Sequence, residues 1–216
     1  MSIQMTPAQR TEHNRSSLAE ALTKLKDSIG PIHIGNKNQF PFGWQKAAKG
    51  RTVWRIIEEI INQSLTKNHK NHSIENFKPA DSEVGVYDFQ MRLIGEDDEV
   101  YVNIKSSIVG VKSSKDDISK AVGLLDFYEK NPTKELFIAT FTLKFSEDPM
   151  SVEIADVYVM PTAWLPDIYV NPSNNGNLQS SQYKDVSKAE KRTNTQFIAA
   201  LKEATAVAAK KKEQKK

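Results

Sequence analysis

The chain has 216 residues, enough for one sizeable domain with its own core, and a single domain over 1–216 is the expectation. It holds no cysteine, which excludes disulfides and thiolate zinc sites. No apolar run approaches the roughly 20 residues that span a bilayer, and MSIQMTPAQRTEH has no apolar signal region, so a soluble cytoplasmic protein with no membrane partner is expected. The net charge of +3 hides a division along the chain. Residues 1–80 carry 12 basic and 6 acidic side chains, residues 81–170 carry 8 and 17, and residues 171–216 carry 10 and 4. An acidic middle between basic arms suits a chain that gathers cations at its centre and polyanions on its flanks.

In chain order, Leu18, Leu22, Leu25 and Ile29 recur at helical spacing and predict a helix over 16–29, stopped by Gly30 and Pro31. The stretch up to residue 51 has no clear period. Its Lys46, Lys49 and Arg51 lead into a helix, and basic side chains beside a helix start favour phosphates, so these three are candidate DNA contacts. The second predicted helix, 52–65, sets Val53, Ile57, Ile60, Ile61 and Ser64 on one side, with Glu58 near the edge of that face and Glu59 pointing away. Residues 66–80 read as a polar loop. Its His69 and His72 invite a zinc reading that no further ligand supports.

The central stretch, Gly85 to Ser107, reads as two strands joined by the acidic turn Gly95-Glu96-Asp97-Asp98. Side chains alternate along a strand, so Val100, Val102 and Ile104 share one face while Tyr101, Asn103 and Lys105 share the other. Asp88 lies 15 positions before Asn103. Next come a predicted helix over about 116–130, opened by Asp116 and Asp117 and burying Ile118, Ala121, Val122, Leu125 and Tyr128, and two strands over 136–143 and 152–160. Residues 171–183, NPSNNGNLQSSQY, read as a polar loop; Asn174, Asn175 and Gln179 are candidates to pair with base edges, as amides do with adenine. A last helix over about 186–210 carries Phe197, Ile198, Leu201, Ala204 and Ala208 as an apolar stripe and ends in a basic tail.

A lone aspartate followed by a short strand ending in an acid-x-Lys pattern resembles the PD-(D/E)XK nuclease superfamily, most closely its type II restriction endonucleases. The order helix, strand, strand, helix, strand over about 52–160 matches that superfamily's core, and 57–65 resembles its first core helix, where a glutamate reaches the metal. The resemblance implies an α/β fold with a restriction-endonuclease-like core, a central mixed β-sheet flanked by helices. It also implies Mg2+ as cofactor, double-stranded DNA as partner, a homodimer, and cleavage of phosphodiester bonds at a specific site. Asp88, Asn103, Lys105 and Glu58 take the catalytic positions, with Asp88, Asn103 and Glu58 as metal ligands. The chemistry is coherent, because carboxylate oxygens hold Mg2+ and a lysine stabilises charge on the phosphate.

Asn103 departs from the pattern, standing where the family has Asp or Glu. Three explanations are open: an Asp replaced to trap uncleaved DNA, a natural site relying on Asp88 and Glu58, or a protein that no longer cuts. Two other functions compete with restriction, namely a structure-specific repair or recombination nuclease of the same fold and a catalytically inactive DNA-binding protein on a nuclease scaffold.

Overall fold

The computed structural model describes residues 5–45, 51–82, 85–111 and 115–214. Helix α1 (Pro7–Ile29) is longer than its leucine stripe predicts, because Thr6 caps it in a capping box with Gln9 and Pro7 occupies the first turn. It ends at Gly30, whose φ of 64° is the left-handed backbone that glycine adopts without strain. Strand β1 (Ile32–Gly35) and helix α2 (Arg51–Asn68) follow. Val53, Ile57, Ile61 and Leu65 form the buried stripe of α2.

Strand β2 (Ile74–Pro79) forms within the segment expected to be loop. It is an edge strand in which only Ile74 is fully buried, so it carries too few apolar residues to announce itself. Strand β3 (Phe89–Leu93) and strand β4 (Glu99–Ile108) make the expected hairpin, with Phe89 opposite Val102 and Met91 opposite Val100. Residues 116–120, expected to start a helix, form strand β5 (Asp116–Lys120), and helix α3 (Ala121–Lys130) begins only after it. Its buried face differs from the expected one: Ala121, Leu124, Phe127 and Tyr128 go in, Leu125 is only partly covered and Val122 is 70% exposed.

Strands β6 (Glu135–Glu147) and β7 (Met150–Pro161) complete a six-stranded sheet in the order β1-β7-β6-β4-β3-β2. Its pairs are antiparallel except β4 with β6, which run parallel across the α3 connection, so the sheet is mixed as expected. Strand β6 is buried on both faces: Phe137, Ala139, Phe141 and Leu143 pack with α1 and α2, while Leu136 and Ile138 pack with α3. That is why LFIATFTL reads as a continuous apolar run.

The polar stretch 171–183 is built around a hairpin, strand β8 (Tyr169–Asn171) with strand β9 (Asn177–Ser180), and β9 also pairs with β5. Its turn places Asn175 at φ 51° and Gly176 at φ 70°, the conformation that Asn-Gly dipeptides favour. Helix α4 (Asn194–Glu213), capped by Thr193 and Gln196, buries Phe197, Leu201 and Ala208 beside α3, so the last helix starts eight residues later than its composition predicts. No helix among the described residues is long and apolar enough to cross a membrane.

Candidate active site

The hairpin brings Asp88 onto β4. Its N–H donates to Val102 O at 2.8 Å, and its Oδ2 accepts the Ile104 N–H at 2.6 Å, which sets the carboxylate between the positions of Asn103 and Lys105. Burial pushes the Asp88 pKa above the ordinary carboxylate value, against the pull of the Ile104 N–H and the positive charges of Lys105 and Arg55. Val100, Val102 and Ile104 are buried in the core beneath α1 and α2, so the opposite face of β4 presents Tyr101, Asn103 and Lys105. Tyr101 packs edge-on against Tyr87 and Phe127, with ring centroids 4.9 and 5.1 Å away. That face therefore passes from an aromatic wall, through the buried Asn103, to the half-buried Lys105.

Asn103 is only 7% exposed. Its Nδ2 donates to Val86 O at 3.0 Å and to Ile118 O at 3.4 Å, and its Oδ1 has no hydrogen-bond partner among the described residues. Lys105 pairs along the parallel ladder with Thr140 of β6, a fully buried residue whose Oγ1 also lacks a partner among the described residues.

Glu58 lies on α2 with its side chain mostly covered, and it pairs with Arg55 at 3.2 Å. Arg55 also acts at longer range to favour the charge on Asp88. Lys46 and Lys49 lie outside the described residues, and so does the side chain of Arg51, whose backbone opens α2.

Asn174 and Gln179 meet on one carboxylate. Asn174 Nδ2 donates to Asp117 Oδ2 at 2.6 Å, and Gln179 Nε2 donates to Asp117 Oδ1 at 2.7 Å, while Gln179 Oε1 accepts from Asn171 at 3.3 Å. Asn175 is exposed at the tip of the turn. Burial opposes the charge on Asp117, but hydrogen bonds from Gln179, Asn177 and Asn174, with Lys105 nearby, outweigh it and hold its pKa below the ordinary value. Sequence reasoning set Asp117 aside as a helix-start acid. The signal that could have found it is the hairpin marked by Asn175-Gly176, which folds the polar stretch back toward β5.

His69 turns its Nδ1 to Leu65 O at 3.1 Å, and His72 is buried, its Nε2 without a hydrogen-bond partner among the described residues. Among the described residues no group of three or more His, Asp or Glu is arranged to hold a metal. The oxygens that Asp88 and Asn103 do offer, one anionic and one neutral, buried and unpartnered, are of the kind a hard cation takes. A cleft of about 440 Å3 lies elsewhere, lined by Arg10, Tyr128, Trp164 and Lys191 among others, and contains none of the candidate residues.

No protein-family model matches this chain, and no curated protein does. Among solved structures, the NlaIV restriction endonuclease is similar to it over 94% of this chain and 89% of that one, at 14% sequence identity and a TM-score of 0.45.

Proposed function

We propose that this chain is a Mg2+-dependent DNA endonuclease that acts as a homodimer and hydrolyses phosphodiester bonds at a specific double-stranded site, in the manner of a type II restriction endonuclease. The observation that carries this reading is the seating of Asp88 on the Ile104 N–H, one residue from both Asn103 and Lys105. Asp88 and Asn103 Oδ1, which has no hydrogen-bond partner among the described residues, would hold the cation, with Glu58 of α2 as the further acid. Bound there, a divalent cation supplies charge neutralisation at the phosphate and lowers the pKa of water.

The chain's own groups do the rest. The backbone bond fixes the Asp88 carboxylate without spending its charge. The Lys105 ammonium, on a rigid strand, stabilises the extra negative charge on the phosphate oxygens as hydroxide adds and holds the attacking water in line. Lys46, Lys49 and Arg51, with the basic C-terminal segment, neutralise backbone phosphates, and the exposed Asn175 is the amide offered to base edges, Asn174 and Gln179 each giving an N–H to Asp117. The neutral Asn103 favours one competing reading, a DNA-binding protein that has lost cleavage.

Plasmid digestion with Mg2+ and with EDTA tests the proposal. Discrete fragments that require metal support it. A smear or structure-dependent nicking favours the repair-type nuclease, and binding with no cleavage favours the inactive scaffold.

A further inference from the structure

We propose that Asp117 is the second carboxylate of this site, holding the divalent cation together with Asp88 and supplying the negative charge that Asn103 lacks. The inference rests on reading the Asp88 region as a cation-dependent site. Asn103 is the joint that makes it possible. Its single amide nitrogen binds Val86 O, two residues before Asp88, and Ile118 O, one residue after Asp117, so one side chain ties the segment carrying the first acid to the strand carrying the second. The same side chain is more than nine-tenths buried, and its Oδ1 has no hydrogen-bond partner among the described residues.

Lys105, two residues further along β4, acts on both carboxylates, favouring the charged form of each. Lys105 is thus within electrostatic reach of both acids. The surroundings of Asp117 fit a ligand better than a buried staple. Both of its oxygens accept from neutral amides, Asn174 at 2.6 Å and Gln179 at 2.7 Å, and Gln179 is itself braced by Asn171. Amide donors orient a carboxylate without neutralising it, which is how metal-binding carboxylates are characteristically supported. The neighbouring Asp116 is used differently, accepting the Tyr183 hydroxyl at 3.1 Å. Asn103 then positions the two acids through its N–H donors, which an ionised acid does not supply, besides offering Oδ1 to the cation.

The test is Mn2+ binding by the full chain, followed by electron paramagnetic resonance or calorimetry. Asp88→Asn and Asp117→Asn should each weaken binding about tenfold or more, and Asp116→Asn should not. Unchanged affinity in Asp117→Asn, or no Mn2+ binding by the native chain, overturns the proposal. Since Asp117→Asn sets an amide against amides and can loosen β5 from β9, a second measurement uses the native chain. Fe2+ with ascorbate and peroxide cuts backbone beside a bound metal. Fragments ending near residues 88, 104 and 117 support the proposal; cuts near 88 and 104 alone overturn it. A chain that binds Mn2+ through both acids yet leaves DNA intact removes the nuclease reading and keeps this one. A nuclease whose Asp117→Asn variant binds Mn2+ and cuts as the native chain does removes this one alone.

Discussion

The Asp88 carboxylate is held by backbone: Oδ2 accepts the Ile104 N–H at 2.6 Å, while the Asp88 N–H donates to Val102 O at 2.8 Å. Its position is therefore independent of which side chain occupies position 105. Lys105→Ala should lower cleavage by about 100-fold or more, the usual effect of removing a group that stabilises transition-state charge. Melting temperature and affinity for DNA should stay near the native values. Rates on plasmid DNA beside binding isotherms check this, and an equal loss of both would make Lys105 structural.

The parts of the fold that the sequence displays are those with a strong period and two buried partners. The leucine stripe of α1, the Val53–Leu65 face of α2, and the alternation that sends Val100, Val102 and Ile104 inward all come through, because burial on one face leaves a repeat that a one-residue slip would destroy. Strands β2 and β5 do not come through. β2 is an edge strand with few buried positions, and β5 is a five-residue strand whose partner, β9, lies about 60 residues further on. The site divides the same way. Asp88 and Lys105, which the resemblance singles out, come together across a local hairpin. Asn174 and Gln179 reach Asp117 through the long-range β5–β9 pairing, and the Asn175-Gly176 turn marks the hairpin without saying where it docks.

The basic arm ahead of α2 gives a second prediction. Each of Lys46→Ala, Lys49→Ala and Arg51→Ala should weaken binding by a similar factor at all sequences and lower the salt-dependence slope by about one unit, because a phosphate that is no longer neutralised keeps its counterion. Titrations at several salt concentrations check it. Slopes equal to the native value for all three would remove this arm from the interface.

His72 supplies a pH dependence unrelated to chemistry on DNA. It is 5% exposed, and burial holds its pKa below the ordinary histidine value. The unfolded chain binds that proton near pH 6.5, whereas the folded chain resists it to a lower pH. Its effect on stability is therefore absent above about pH 6.5. As pH falls from there toward the folded value, the unfolded state gains protons that the folded state refuses, and stability drops. Urea midpoints at pH 7.5 and about 5.5 should fall further for the native chain than for His72→Gln, and parallel losses would acquit His72.

Asn103→Asp sets the sequence pattern against the structure. On the pattern alone this change regains a metal ligand and raises Mg2+-dependent cleavage about a hundredfold or more. The hydrogen bonds around Asn103 favour the opposite outcome. Both acceptors that meet Nδ2 are carbonyl oxygens, Val86 O and Ile118 O, and an ionised Asp would set a third oxygen against them while stranding a charge at a 7%-exposed position. Losing two donors in a buried site costs about 1–3 kcal/mol for each group left unsatisfied. For a chain of this size that is roughly a few degrees of melting temperature or more. The variant should melt lower, cleave no faster than the native chain, and bind Mn2+ no more tightly, because the joint between the Asp88 segment and β5 has been opened. Thermal unfolding and plasmid cleavage, run on the same preparations, decide the matter. A variant that keeps its melting temperature and cuts about a hundredfold faster would mean that an aspartate belongs at position 103 and that Asn there is a disabling replacement.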